Sequence, residues 1–284
     1  MNAVLFAVRI GLGRGWTEFR HSLIKVDEQM FNVINSGIIL IVLYFLRDNT
    51  VDGTSLPLAT LTLPGVVGMM VAFSTINGSA FVTAFEREDG TLLRAKAVPF
   101  GVVGYLTGQA VRIPLTTVFG ILWILIPGLF LFDGLASAGI TGWLTLLWVL
   151  VLGLLATLPL GMALGAVISN PRVVGQVLFL ANAGLIAISG IFYPISALPG
   201  WLHPIAQAFP FYWLGLGMRS ALLPDAAAAV ELAGSWRHLE TVGVLGAWAV
   251  VGLVLAPVLL RRMARRESGA TMAAAQQKAA QRIG

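Results

Sequence analysis

Long apolar runs alternate with short polar interruptions along the chain, and the runs are too long for the strands or helices of a soluble domain. Six of them, over residues 31–46, 63–85, 102–132, 143–168, 173–193 and 241–260, meet or approach the roughly 20 apolar residues that a helix needs to cross a hydrocarbon core of about 30 Å. The first is short and needs its flanks to complete a span, and the third is expected to enter the membrane near Val111. Ahead of them, residues 3–28 change period. Leu5, Val8, Leu12, Trp16, Phe19, Leu23 and Val26 recur at steps of three or four, while Arg14, Thr17, Glu18, His21, Lys25 and Glu28 fall opposite. That pattern predicts an amphipathic helix lying along the membrane interface, with a helix packed on its own protein as the competing reading. Between residues 192 and 224, Pro194, Pro199, Pro204, Pro210 and Pro224 forbid one continuous helix in a segment too apolar for a solvated loop. Short re-entrant helices on the outer face are expected there, capping what lies beneath, with Trp201, Tyr212 and Trp213 as headgroup-level anchors.

Composition turns this pattern into a class. The chain is 57% hydrophobic and 11% charged with a mean hydropathy of +0.87, against roughly 25% charged residues in soluble domains. It reads as an all-α integral membrane protein of six transmembrane helices. With the N-terminus inside, fifteen Lys and Arg residues fall on the cytoplasmic side and three, Arg47, Arg219 and Arg237, on the other. Both termini are therefore expected in the cytoplasm of a cell with the protein in its cytoplasmic (inner) membrane. The sequence pI of about 10.1 reflects that asymmetry, and no nucleic-acid partner is expected. There is no cysteine, which excludes disulfides and thiolate metal sites. Arg9 interrupts the first apolar run and no small-x-small site follows, so no cleavable signal is expected. The expected organisation is an interfacial helix over 1–30, a membrane domain over 31–260 and a basic cytoplasmic tail over 261–284. Pro114, Pro127 and Pro159 should bend their helices, and Gly161 and Gly165 have the spacing that lets a neighbouring backbone come close.

The charge that remains is concentrated. Glu86, Arg87, Glu88, Asp89, Arg94 and Lys96 fall within eleven residues between the second and third spans, and Pro99 and Gly101 follow. Acidic residues at the start of a short helix and basic ones toward its end suit the helix dipole, so a charged helix parallel to the membrane is expected from Glu86 onward. In Glu86-Arg87-Glu88-x-Gly90-Thr91-Leu92 with Pro99, and in Gly190-Ile191-Phe192-Tyr193-Pro194 through Leu198-Pro199-Gly200-Trp201 to Phe209-Pro210, the chain resembles the membrane subunits of ABC-2 type transporters, which include drug exporters of the daunorubicin-resistance kind and polysaccharide or lipid exporters. The resemblance implies that Glu86, Arg87, Glu88, Gly90, Thr91 and Arg94 belong to a cytoplasmic coupling helix docking on an ATPase. It also implies a dimer of permeases, two identical chains or two related ones, with two copies of a separate ABC ATPase that carries ATP and Mg. No lysine here follows glycine, so a phosphate-binding Gly-Lys-Ser/Thr loop is absent from the sequence.

Candidate cargo contacts come from the second and fifth spans. Ser74, Asn77 and Phe81 share one helical face, as do Phe179, Asn182, Ile186 and Ser189. In related transporters these two helices line the central cavity, and a mixed aromatic and amide surface suits a drug-like or lipid-like compound. The plainer reading is that Asn77 and Asn182 hydrogen-bond between helices. No Asp, Glu, Lys or Arg falls well inside a span, which argues against an ion-driven carrier. His21, His203 and His238 are scattered, and neither His-Glu-x-x-His nor Gly-x-Ser-x-Gly occurs, so no metal site and no catalytic residue is expected. The expected function is export of a hydrophobic or amphipathic compound, with polysaccharide or glycolipid export and, further off, an ion-coupled secondary carrier as alternatives.

Overall fold

A computed structural model of the protein describes residues 3–51, 56–89, 91, 98–135, 139–168 and 170–266, with side chains to Met263. Its helices in chain order are α1 (Ala3–Ile24), α2 (Val26–Phe45), α3 (Leu58–Glu88), α4 (Gly101–Leu131), α5 (Gly139–Val167), α6 (Pro171–Ile188), α7 (Leu202–Ala208), α8 (Pro210–Leu222) and α9 (His238–Arg266). Two short 3-10 turns, Ile195–Ala197 and Asp225–Val230, flank α7 and α8. Helices α2, α3, α4, α5, α6 and α9 are long and apolar enough to cross a membrane, so the expected six spans are present. Local signals explain several boundaries. Asp27 and Glu28 occupy the first turn of α2, where acids suit the helix dipole. The Asn170 side chain caps α6 by accepting from the Arg172 backbone N–H at 2.9 Å, with Pro171 in the first turn.

At the centre lies α3, packed against α4, α5, α6 and α8. Its approach to α5 depends on glycine: a Cβ on Gly161 would fall on Ser79 Oγ and the Ile76 carbonyl, and one on Gly165 on the Ala80 carbonyl. The weak sequence signal in that spacing thus marks a real close contact. Pro114 and Pro127 lie within an unbroken α4, and Pro159 within α5.

Three expectations need correction. The acidic cluster does not open a new helix: Glu86 and Glu88 are in the last turns of α3, which continues past the apolar run. Ser79 and Thr83 hydroxyls donate to the carbonyls of Thr75 and Ser79, at 2.7 Å in both cases, so the helix satisfies its own polar residues as it goes. Thr91 is helical, whereas Gly90, Arg94 and Lys96 lie outside the described residues, as does the tail beyond Arg266.

Second, α1 is more than a surface helix. It runs alongside the first half of α4 in the same direction, through a face of Ala7, Gly11, Gly15, Phe19 and Ser22. A Cβ on Gly11 would meet the Gly104 carbonyl and one on Gly15 the Gly108 carbonyl, so both backbones pack in direct contact. Of the apolar stripe only Phe19 is buried in that contact, while Leu5, Leu12 and Trp16 are left uncovered by protein, each about half exposed or more.

Third, the proline-rich segment does not merely cap the bundle. Gly190, at φ +65°, ends the α6 region in a conformation that side chains resist. The chain then turns through α7 into α8, every residue of which is buried among α3, α5 and α9. Trp201 remains exposed as an anchor would, but Tyr212 and Trp213 are 1% and 2% exposed and belong to the core.

Candidate functional site

At the end of the bundle that carries α1, the charged residues form one network across three helices. Arg14 Nε donates to Glu18 Oε1 at 2.6 Å, and Arg14 Nη2 reaches Glu86 Oε1 at 3.4 Å. Arg112 Nη1 lies 3.6 Å from Glu18 Oε2, and Gln109 Nε2 donates to both carboxylate oxygens of Glu86 at 3.4 Å. Burial opposes the charge of Arg14, but the hydrogen bond and charge of Glu18, joined by Glu86, outweigh it and raise its pKa above the ordinary value. Gln109 and the neighbouring Tyr105 are 2% and 3% exposed, so the Glu86 carboxylate faces inward. Arg87 also turns to the protein: its Nη1 donates to the Ala166 carbonyl at 3.4 Å, next to the end of α5. Among the described residues of this stretch, Glu88 and Asp89 are the exposed charges. The sequence-predicted coupling residues therefore divide, with Glu86 and Arg87 fastening α3 to its neighbours and Glu88 presented outward.

The predicted cargo faces are only partly brought together. Asn182 Nδ2 donates to Asn77 Oδ1 at 3.3 Å, and Asn77 Nδ2 donates to the Phe73 carbonyl at 2.6 Å. This is the interhelical bond of the plainer reading. Phe81 stacks on Phe85 with centroids 6.1 Å apart and lies across Gly175 of α6. Ile186 is half-buried, and the Ser189 hydroxyl is taken by the Ile186 carbonyl at 2.8 Å. Phe179 points away, 72% exposed, and Ser74 turns to a different cavity beside α2 and α4. Asn182 also borders a cavity of about 390 Å3 walled by aliphatic and aromatic side chains of α3, α5, α6, α8 and α9, among them Ile76, Leu164, Leu178, Phe209 and Trp248.

Residues 16–223, from the second half of α1 through α8, match the family described as ABC-2 type transporter. The chain belongs to that family. It is thus a transport membrane subunit of the ABC-2 permease type, a family whose members partner an ABC ATPase and dimerise, and whose membrane domain carries no cofactor of its own. Comparison with curated proteins finds no match.

In this ABC-2 permease the sequence reading overlooked an ion pair at the opposite end. Arg219 Nε donates to Glu231 Oε1 at 2.5 Å and Nη2 to Oε2 at 3.3 Å, while Nη1 donates to the Gly190 carbonyl at 3.2 Å. The two side chains are 2% and 4% exposed. The charge count uses Arg219 only as one of three basic residues on the outer side. The signal available was two opposite charges twelve residues apart in an apolar segment, since buried charges are tolerated chiefly in pairs. By joining α8, the turn after it and the end of α6, the pair pins the proline-rich segment into the bundle.

Proposed function

We propose that this permease is the membrane half of an ATP-driven exporter that moves a hydrophobic or amphipathic compound outward across the cytoplasmic membrane. The observation that carries the cargo reading is the 390 Å3 cavity itself: its lining is almost wholly apolar, and Asn182, held to Asn77 by one hydrogen bond, sits at its edge. Such a surface recognises an apolar body and has little to offer a polysaccharide. Asn77, Phe81 and Asn182 are the cargo contacts of this reading, with Ile186 bordering the path, whereas Ser74 and Phe179 face away from it. Glu88, Thr91, Gly90 and Arg94 belong to the surface that docks on the ATPase, whereas Glu86 and Arg87 transmit the movement into α1, α4 and α5. Two ATPase copies beneath two permeases, identical or related, supply ATP and Mg, with both permease termini in the cytoplasm.

The test is transport of a hydrophobic dye into inverted vesicles containing the permease with its ATPase. ATP should drive uptake and an imposed ion gradient should not, and Asn182→Leu and Asn77→Leu should alter the ranking of substrates that stimulate ATP hydrolysis. Uptake driven by the gradient alone would overturn the mechanism. If both variants handle every substrate as the parent does, the two amides are packing links only.

A further inference from the structure

A second, open-mouthed cavity of about 430 Å3 lies at the corner where α1 meets α2 and is bordered by α3 and α4. Ser74 lines it, but Asn77 and Asn182 do not, so it uses a neighbouring face of α3 from the cargo amides. Its character differs too: Asp27, Glu28, Arg112, Ser74 and Thr116 share the walls with apolar residues such as Phe119.

The charges on these walls do not cancel. Glu28 is held by Lys25 Nζ at 3.0 Å, and Arg112 by Glu18 at 3.6 Å. Asp27 makes no ion pair among the described residues. The start of α2 offsets only about half a charge, and Glu28 shares that offset. Two of the other polar groups are occupied: Thr116 Oγ1 donates to the Arg112 carbonyl at 3.0 Å, and Gln29 bridges from the Ser22 carbonyl, at 2.9 Å, to Trp123 Nε1, at 3.3 Å; Ser74 and Asn32 are uncharged and leave the charge balance unchanged. A ligand entering here therefore meets an unbalanced carboxylate at one end and apolar side chains beyond it. Aromatic rings on the walls favour a positive charge as well, whereas phosphate-bearing groups would face Asp27 and Glu28.

We infer that this cavity is a binding site for an amphipathic monocation, with its charge beside Asp27 and its apolar body between α3 and α4. The site requires no ATP and stands apart from the export reading.

Because the chain has no cysteine, Thr116→Cys places a single thiol on the cavity wall. With the full-length chain in phosphatidylcholine nanodiscs, tetraphenylphosphonium should slow maleimide labelling at position 116 saturably. Tetraphenylborate, with the same four phenyl groups and the opposite charge, should not. Adding Asp27→Asn should raise the half-protecting concentration of tetraphenylphosphonium about tenfold, the loss that accompanies removal of one charged contact. Asp48→Asn, at the far end of α2, should leave it unchanged. Equal protection by both ions, or an unaltered half-protecting concentration in Asp27→Asn, overturns the inference; should that variant fail to fold, Glu28→Gln is read by the same criteria. Labelling needs no ATPase, so the outcome is independent of whether export is observed.

Discussion

Two carboxylates, Glu86 and Glu88, are separated by only one residue, and burial decides what each can do. Glu86 receives Gln109 and Arg14, and removing it leaves the Gln109 amide buried without its acceptor. Glu86→Ala is expected to cost about 1–3 kcal/mol of stability, read as a lower melting temperature of the detergent-solubilised permease. Glu88→Ala should leave that temperature unchanged while lowering substrate-stimulated ATP hydrolysis, because an exposed charge has little to lose in the isolated chain and a docking contact to lose in the complex. If both variants melt alike and both hydrolyse ATP normally, the division of roles is wrong. Arg219 and Glu231 pose the corresponding question at the other end. Breaking a buried ion pair from one side strands the other charge, at a cost of about 3–5 kcal/mol. Arg219→Met or Glu231→Leu alone should therefore sharply reduce the yield of folded protein, and the double variant should recover most of it, because two apolar side chains leave no charge uncompensated.

Helices as units show how far the sequence could be read. The six spans were legible because an apolar run of membrane length admits few other structures. The burial of α8 was not, because prolines and glycines show where a helix stops but not which neighbours surround it, and a thirteen-residue apolar helix looks alike at a surface and in a core. The face of α1 was hidden for a related reason. Its visible periodicity is carried by large apolar residues, whereas the surface packed on α4 is built largely from Ala7, Gly11 and Gly15, whose value lies in what they leave out. Asn77 and Asn182 could be chosen as candidates from shared faces, but only the packing of α3 on α6 brings them together. The prediction at this scale is that Gly15→Leu, which must displace the Gly108 carbonyl or separate the helices, lowers stability by about 1–3 kcal/mol or more, while Gly13→Leu, with open space around it, has little effect. Thermal melting of the two variants side by side separates loss of the α1–α4 contact from a general cost of bulk in α1.

Orientation belongs to the whole molecule, and the structure sharpens the charge argument for it. Counting basic residues treats every Lys and Arg as equal, yet the three at the α8 end are all engaged within the protein. Arg47 lies over the Tyr44 ring at 4.1 Å, Arg219 is paired with Glu231, and Arg237 lies over Trp213 at 4.7 Å while donating to Gln207 at 2.7 Å. At the other end Arg9 and Arg20 are exposed on α1 and make no ion pair among the described residues. Among the described residues the uncommitted positive charge therefore lies at the α1 end, where Arg14, Lys25 and Arg112 are paired but Arg9 and Arg20 are not, and it is uncommitted charge that anionic lipid retains, at about 1 kcal/mol per residue. The α1 end should face the cytoplasm. In the cysteine-free parent, Asp48→Cys and Ser196→Cys should label in intact cells with a membrane-impermeant maleimide, whereas Thr17→Cys should label only after the membrane is opened. All three positions are exposed, so a silent position reports sidedness rather than burial. Labelling of Thr17→Cys in intact cells, with Ser196→Cys protected, would invert the molecule: Glu88 would then stand outside, beyond the reach of any cytoplasmic ATPase, and the coupling role assigned to it would fall together with the topology.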